Sequence, residues 1–143
     1  KYVAHVADML GLAGWDEARA ADGADRLMAL ETRLAASHWD RVANRDVIAT
    51  YNRMTLAELC AAAPAFAWSG WIDGLGATEG AFAEVLVRQP SYLEGLSAAL
   101  GEVPLDAWKV WLTFHLLHGA APYLSSPFVE QNFDFYSRTL SGT

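Results

Sequence analysis

The sequence is poor in residues that several classes of protein require. Its 143 residues include one cysteine, Cys60, so no disulfide can form within the chain. Only 10 residues are Lys or Arg, against 17 Asp or Glu, and the net charge is −7. Because nucleic-acid binding needs a basic surface, this composition argues against a nucleic-acid partner.

An uninterrupted apolar run of membrane-spanning length is also missing. The best candidate, residues 105–124, contains Asp106, Lys109, His115 and His118, which would be costly inside a bilayer. We therefore expect no membrane span in this chain.

Charged residues make up only 19% of the chain and hydrophobic residues 53%, which is apolar for a small domain. Either a large interface or a piece of a larger protein explains this excess. We favour a piece, because residues 1–6 begin inside a helical pattern without a cap.

Helical patterns are abundant, and the strongest covers about residues 104–121. Pro104 suits a first helical turn, and Asp106 lies where a carboxylate favours the positive helix end. The apolar stripe consists of Trp108, Trp111, Leu112, His115 and Leu116, with Val110, Phe114 and Leu117 on the opposite side. A helix that is apolar nearly all round is a buried helix, so we predict that other helices wrap it.

The remaining patterns are also mostly helical. We predict one helix up to a stop at Gly11, and another from an Asp16 cap to about His38 with Leu27, Leu30 and Leu34 on its core face. Thr55 and Glu58 form a capping box that starts a short helix. A weak helix is predicted over residues 66–75, and a last helix from Ser126 to about Leu140. Another helix is predicted from residues 89–91 to about Leu100. Its inner face consists of Tyr92, Leu93, Leu96 and Leu100.

Strand signals are nearly absent. Residues 39–54 show no sustained period and are interpreted as an ordered connection, whereas about residues 82–88 fit an extended segment. One strand needs a partner, and we find none, which again indicates missing sequence. The prediction is a mainly α class: a single multi-helix domain over residues 1–143, around the Trp-rich helix at about 104–121, with at most one short strand at about 82–88.

Motifs for catalysis and metal binding are missing. His115 and His118 are three apart on the central helix, but no acidic residue lies between them or within a turn as a third ligand. Cys60, Ser69 and Ser125-Ser126 lack the context of an activated nucleophile. Gly74-Leu75-Gly76 does not fit a phosphate loop. Glu79, Glu84, Glu94 and Glu102 are scattered and expected to be solvated. We assign no catalytic and no metal-binding residue, and the sequence does not identify substrate-binding residues.

Two segments resemble a known family. Tyr51-Asn52-Arg53-Met54-Thr55-Leu56-Ala57-Glu58-Leu59 resembles a signature of neprilysin-like zinc metallopeptidases, the family of neprilysin and endothelin-converting enzyme. The segment Asn132-Phe133-Asp134-Phe135-Tyr136-Ser137-Arg138-Thr139-Leu140-Ser141-Gly142 resembles one near the end of the N-terminal domain of bacterial members. Pro90-Ser91-Tyr92-Leu93 and the Trp-rich helix follow in the matching order. The departures, Ser137 for a usual Gly and Arg53 for a frequent Pro or Lys, are mild.

The resemblance implies a non-catalytic role for this chain. The catalytic His-Glu-x-x-His and downstream Glu-x-x-x-Asp motifs of the family lie in a C-terminal lobe, and no His-Glu-x-x-His sequence occurs in this chain. The chain therefore resembles part of the helical N-terminal domain, a lid that limits access to oligopeptides. The implied cofactor, zinc, belongs to the parent enzyme and not to this chain. The implied partners are the catalytic lobe of the same polypeptide and oligopeptide substrates.

Two other interpretations stay open. A stand-alone helical interaction module without enzymatic activity would need no protease lobe, although the uncapped start and the unpartnered strand disfavour it. An independent hydrolase has almost no support from the residues. The resemblance leaves the compartment undetermined, with the parent either cytoplasmic or exported in a bacterium.

Overall fold

The computed structural model describes residues 1–78 and 80–142. Glu79, which we expect to be solvated, lies outside the described residues, as does Thr143. The chain divides into two compact units: Lys1–Glu31 with Pro104–Thr143, called unit 1, and Thr32–Val103, called unit 2. That residues 1–143 form a single domain stays a prediction. None of the described helices is long and apolar enough to cross a membrane.

The described residues form seven α-helices and two short strands, which confirms the mainly α class. The helices are α1 Tyr2–Leu12, α2 Glu17–Ala35, α3 Leu56–Ala62, α4 Trp68–Gly74, α5 Pro90–Glu102, α6 Leu105–Ala120 and α7 Ser126–Phe133. The strands are β1 Asn52–Thr55 and β2 Glu84–Val87. Short 3-10 turns cover Ala43–Arg45 and Ala121–Tyr123, and a π-helical segment covers Asp134–Ser141.

The core of unit 1 is formed by α1, α2 and α6. Phe114 of α6 is 1% exposed, and it belongs to one buried cluster with Val6, Met9, Leu10, Ala20, Ala24, Leu27, Val110 and Ala121. Gly23 of α2 allows close packing here, because a Cβ at this position would lie 3.0 Å from Trp15 Cζ3 and 3.2 Å from Leu10 Cδ1. A glycine that lowers helix propensity is therefore explained by the approach of two large side chains.

Helices α1 and α2 match the predicted positions closely. The predicted Asp16 cap of α2 is confirmed, since Asp16 Oδ1 accepts a hydrogen bond from Arg19 N at 2.9 Å. The three leucines predicted for its core face are buried: Leu27, Leu30 and Leu34. The predicted stop at Gly11 is wrong, because α1 continues to Leu12. The left-handed backbone that ends this region occurs at Gly14, where φ is +91°.

The bounds predicted for α6 are confirmed, but its predicted surroundings are wrong. The buried positions are Ala107, Val110 and Phe114, whereas Leu112 and Leu116 of the predicted stripe are 63% and 70% exposed. Within the described residues, α6 is therefore buried on one face only. Because the helix is apolar nearly all round, hydrophobic spacing cannot show which of its faces packs inside.

The prediction of at most one strand is also wrong. Strand β2 pairs antiparallel with β1, and the register joins Asn52 to Val87 and Thr55 to Glu84. The partner strand lies in the stretch that we interpreted as a connection. Asn52 holds it in place, because its side-chain Nδ2 donates to Ala49 O at 2.8 Å and to Val87 O at 3.1 Å. Strand β1 has only four residues, which alternate between partly buried and exposed. Such a strand is too short to show the two-residue hydrophobic period that predicts a strand.

Helices α4 and α5 of unit 2 lie where predicted, but the most buried residues of α5 are not the ones predicted for its inner face. Its fully buried residues are Ser97 and Ala99, and the four predicted apolar residues are partly buried: Tyr92, Leu93, Leu96 and Leu100. The start of α5 is joined by hydrogen bonds to the turn that follows α2. Trp39 Nε1 donates to Ser91 Oγ at 2.8 Å, and Ser91 Oγ donates to Ser37 O at 3.0 Å.

The last helix was predicted as one element and has two parts. Helix α7 ends at Phe133, and the π-helical segment follows it without a break. Side-chain spacing does not distinguish this eight-residue π-helical segment from an α-helix, so the change of helix type was not predicted.

The capping box at the start of α3 is confirmed. Thr55 Oγ1 accepts from Glu58 N at 3.2 Å, and Thr55 N donates to Glu58 Oε2 at 2.7 Å. These hydrogen bonds favour the ionised carboxylate and lower the pKa of Glu58.

We expect Thr55→Ala to lower the free energy of unfolding by about 1 kcal/mol, because an unsatisfied N–H is left at the start of α3. Urea denaturation followed by far-UV circular dichroism measures the loss. Ser125→Ala is the matched control, since Ser125 precedes α7 without a side-chain capping bond. Equal effects of the two substitutions would show that the capping box does not stabilise the fold.

Candidate functional site

The two histidines considered as metal ligands have different surroundings. His115 Nε2 lies 2.8 Å from Glu31 Oε1, and the same oxygen accepts a hydrogen bond from Trp111 Nε1 at 2.7 Å. Glu31 thus joins α2 to two positions of α6 and pairs with one ring nitrogen of each residue. His115 is engaged in a structural contact.

His118 instead faces aromatic rings. Its ring stacks on Phe114 with centroids 6.0 Å apart and lies 4.8 Å from the Tyr136 ring. Its Nδ1 is buried without a hydrogen-bond partner among the described residues. Zinc in a catalytic site takes three protein ligands, and no group of three His, Cys, Asp or Glu residues able to hold a metal is found in the described part of the chain. The donors present therefore do not fit a zinc site, and the absence of a metal role stays a prediction.

A third histidine, His5, is the most buried ionisable side chain of unit 1. We missed it because we interpreted residues 1–10 only as a terminal helix. His5 is 2% exposed and stacks on Phe135 with centroids 4.3 Å apart and an interplanar angle of 10°. The aromatic–histidine cluster, as we name it, comprises Tyr2, His5, Phe114, His118, Phe135 and Tyr136. His5 shares the face of Tyr2 and Met9, and this spacing was the available signal.

Burial changes the protonation of this cluster. It lowers the pKa of His5, and the nearby His118 lowers it further, while Asp8 opposes the change. Burial, with smaller effects of Glu31 and Tyr136, raises the pKa of Tyr2 to about 12. Burial also raises the pKa of Tyr136. Burial therefore favours the neutral forms of His5, Tyr2 and Tyr136.

Both units carry concave surfaces among their described residues. The groove of unit 1 measures about 1210 Å³ and runs between α1 and α7, with carboxylates at Asp8, Glu17, Glu130 and Asp134. The pocket of unit 2 measures about 320 Å³ and is lined mainly by apolar and aromatic side chains, among them Trp68, Trp71, Phe82, Val85, Val87 and Tyr92. Neither surface brings together a nucleophile and a base.

The nucleophile candidates are likewise isolated. Cys60 is a free, partly buried thiol on α3, Ser69 lies on α4, and Ser125 and Ser126 lie at the start of α7. No hydrogen bond among the described residues joins any of these four side chains to a histidine or a carboxylate. A nucleophile without a base in reach is not activated.

Both segments that resemble the metallopeptidase family have structural roles. Residues 51–59 form β1, the capping box and the start of α3. Arg53, a departure from the usual pattern, pairs across the sheet with Glu84. Residues 132–142 contribute Phe135 and Tyr136 to the aromatic–histidine cluster. Both segments thus form parts of the scaffold.

The fold and these segments define the class of protein. The sequence model of the N-terminal part of peptidase family M13 matches residues 1–143. The chain therefore belongs to peptidase family M13, and the resemblance to neprilysin-like metallopeptidases is confirmed.

Solved structures of one bacterial zinc metalloprotease, Zmp1 of Mycobacterium tuberculosis, are similar to this chain. The cryo-EM structure in the open state has 40% identity and a TM-score of 0.94, covering 99% of this chain and 22% of Zmp1. The crystal structure with an inhibitor has 40% identity and a TM-score of 0.92, covering 97% and 21%. A partially open state has 38% identity and a TM-score of 0.82, covering 99% and 21%. The chain thus spans about a fifth of these relatives.

We expect zinc to bind the protein that carries this chain without using its histidines. His115→Gln and His118→Gln should leave the zinc content unchanged, because neither residue lies in a set of three ligands. Elemental analysis of the full-length variants after dialysis measures the content. Loss of zinc from one of these variants, with its fold retained by circular dichroism, would contradict this assignment.

Proposed function

We propose that this chain is a non-catalytic lid segment of a zinc-dependent metalloendopeptidase. In this proposal the catalytic lobe, on another part of the same polypeptide, holds the zinc and hydrolyses the peptide bond. The chain limits access to that site, so that oligopeptides enter and large folded proteins do not. The observation that carries the proposal is the match of the entire chain to the N-terminal part of a zinc-peptidase family.

The chemistry of the chain supports a role in access and not in catalysis. No His-Glu-x-x-His sequence occurs in its 143 residues. Its best-placed histidine, His115, is paired with Glu31, and its most buried one, His5, is enclosed by aromatic rings. These contacts give both histidines structural roles, which supports a role of the chain outside catalysis.

The relatives support a moving lid. Zmp1 has been solved in open and partially open states and in complex with an inhibitor. This chain matches the open and the inhibitor-bound structures with TM-scores of 0.94 and 0.92, and the partially open one with 0.82. Such agreement is expected when a segment keeps its fold while its position changes, as lids that close over active sites do.

Exposed apolar residues support packing against further parts of the polypeptide. Leu105, Leu112 and Leu116 of α6 are 66%, 63% and 70% exposed. Large exposed apolar patches mark interaction surfaces in soluble proteins. In the proposed lid, the catalytic lobe or its approach is the partner that this face meets.

The alternative of a stand-alone interaction module is not favoured by any specific observation. An exposed apolar face agrees with it, but it gives no reason for whole-chain similarity to a peptidase family. The experiment below separates the two, because only the lid contacts the catalytic lobe.

A photo-crosslinker in place of Leu112 tests the proposal in the full-length protein. We expect p-benzoylphenylalanine at this position to crosslink to peptides beyond residue 143, because Leu112 lies on the exposed face of α6. Irradiation should also lower hydrolysis of an oligopeptide in proportion to the crosslinked fraction, since the lid is then fixed. Mass spectrometry and a fluorogenic peptide assay provide the two measurements.

The same crosslinker at Asp25, an exposed and charged position of α2, is the matched control. We expect fewer crosslinks there and unchanged hydrolysis. Crosslinks from Leu112 to the catalytic lobe without loss of activity would refute gating. Crosslinks only to other molecules would favour the interaction module.

A further inference from the structure

One side chain of α7 joins two residues of α1. Gln131 Nε2 lies 3.4 Å from His5 Nδ1 and 3.1 Å from Asp8 Oδ2. Both contacts use the same amide nitrogen, whose two hydrogens can be donated in two directions. These contacts attach α7 to α1 beside the groove of unit 1, and we call them the His5–Gln131–Asp8 latch.

The carboxylate fixes the orientation of the amide, and the amide fixes the tautomer of the histidine. An ionised carboxylate only accepts hydrogen bonds, so Gln131 must turn its NH₂ group towards Asp8. The same NH₂ group then donates to His5 Nδ1, which must carry a lone pair. His5 is therefore neutral in this arrangement, with its hydrogen on Nε2.

The surroundings of His5 disfavour a charged ring. Its Nε2 is buried without a hydrogen-bond partner among the described residues. The ring lies parallel to Phe135 and edge-on to Phe114 and Tyr136. Three of the rings around a buried imidazole are thus hydrocarbon or phenol, and such surroundings disfavour an imidazolium.

The titratable and charged groups near His5 come from every element packed in this region. Helix α1 contributes Tyr2 and Asp8, helix α6 contributes His118, and the π-helical segment contributes Tyr136. Glu31 of α2 acts on Tyr2 and is engaged by His115 and Trp111. Asp8 is the group that favours a charged His5, whereas burial and His118 oppose it more strongly.

Protonation of His5 would break the latch. A hydrogen on Nδ1 would point at the NH₂ group of Gln131, so two donors would face each other. Turning the amide would relieve this clash but would direct its oxygen at the Asp8 carboxylate. Either outcome removes a contact between α7 and α1. The first leaves the buried Nδ1–H of His5 unpaired, and the second replaces the donation to the exposed Asp8 carboxylate by two facing oxygens.

From this geometry we propose that the His5–Gln131–Asp8 latch is an acid-sensitive switch, which holds α7 and the π-helical segment on α1 at neutral pH and releases them when His5 is protonated. The proposal goes beyond gating by the lid and does not depend on it. Its direct consequence is a pH-dependent opening of residues 126–141.

The direction of the pH effect follows from linkage. A histidine whose folded-state pKa is lowered takes up its proton more readily when the segment is open. The free energy that favours the attached state is therefore at its maximum above about pH 6.5, the ordinary histidine pKa. It weakens as the pH falls below that value and stops weakening once the pH is below the lowered pKa of His5 in the closed state.

Hydrogen exchange measured by mass spectrometry on the full-length protein tests the switch. After correction for intrinsic exchange rates, we expect exchange of residues 126–141 to rise at least about fivefold between about pH 7.5 and about pH 5.0, with a limiting slope of about tenfold per pH unit. Peptides from α2 are the internal reference and should change little.

Two variants identify the responsible group. His5→Phe keeps a ring against Phe135 but cannot be protonated, so the pH effect on residues 126–141 should fall below about twofold. His115→Gln, which removes a histidine that contacts Glu31 and lies outside the latch, should retain the effect. A wild-type protein without the pH effect, or a His5→Phe variant that keeps it, would overturn the proposal.

A second measurement needs no substitution. Deuterium exchange at the imidazole C2 of each histidine, read by mass spectrometry across pH, gives the pKa of His5 in the intact protein. The switch requires a value below about 6.5 and slow exchange at neutral pH. A value at or above that number would overturn the proposal even if His5→Phe failed to fold.

Discussion

The packing of Phe114 is the contact on which unit 1 depends. This ring of α6 lies within a buried cluster to which α1 contributes Val6, Met9 and Leu10. It also meets His5 and His118 through ring contacts, so the apolar core and the ionisable cluster share one side chain. Because α1 and α6 are far apart in the sequence, this contact joins the two ends of the chain. Phe114 is also one of the rings that enclose His5, and burial is the main cause of the lowered pKa of that histidine.

The helices were predictable because local signals determine them. The Asp16 cap and the Thr55–Glu58 capping box are short-range hydrogen bonds that residue identity reveals. The packed face of α6 was not predictable, because an all-round apolar helix offers several equivalent stripes and tertiary contacts select one. Strand β1 was missed for a related reason. Its pairing depends on β2, more than thirty residues away in the sequence.

The candidate site could be predicted only in part. The sequence indicates a scaffold without a catalytic motif, and the segments that resemble peptidase family M13 do form a strand, a helix cap and an aromatic cluster. It could not show that Glu31 accepts from both Trp111 and His115, since that contact spans eighty residues. Nor could it show the importance of His5, because a lone histidine on an apolar helix face has many possible environments until its neighbours are known.

The central claim is that this chain moves relative to a zinc centre carried by the same polypeptide. The most direct test is an electron–electron distance measurement between a nitroxide at Leu112→Cys and copper(II) in place of the zinc, in a Cys60→Ser background. A lid predicts that an active-site inhibitor shifts the distance distribution to shorter values. An identical distribution with and without inhibitor, in a protein that binds the inhibitor, would contradict the account.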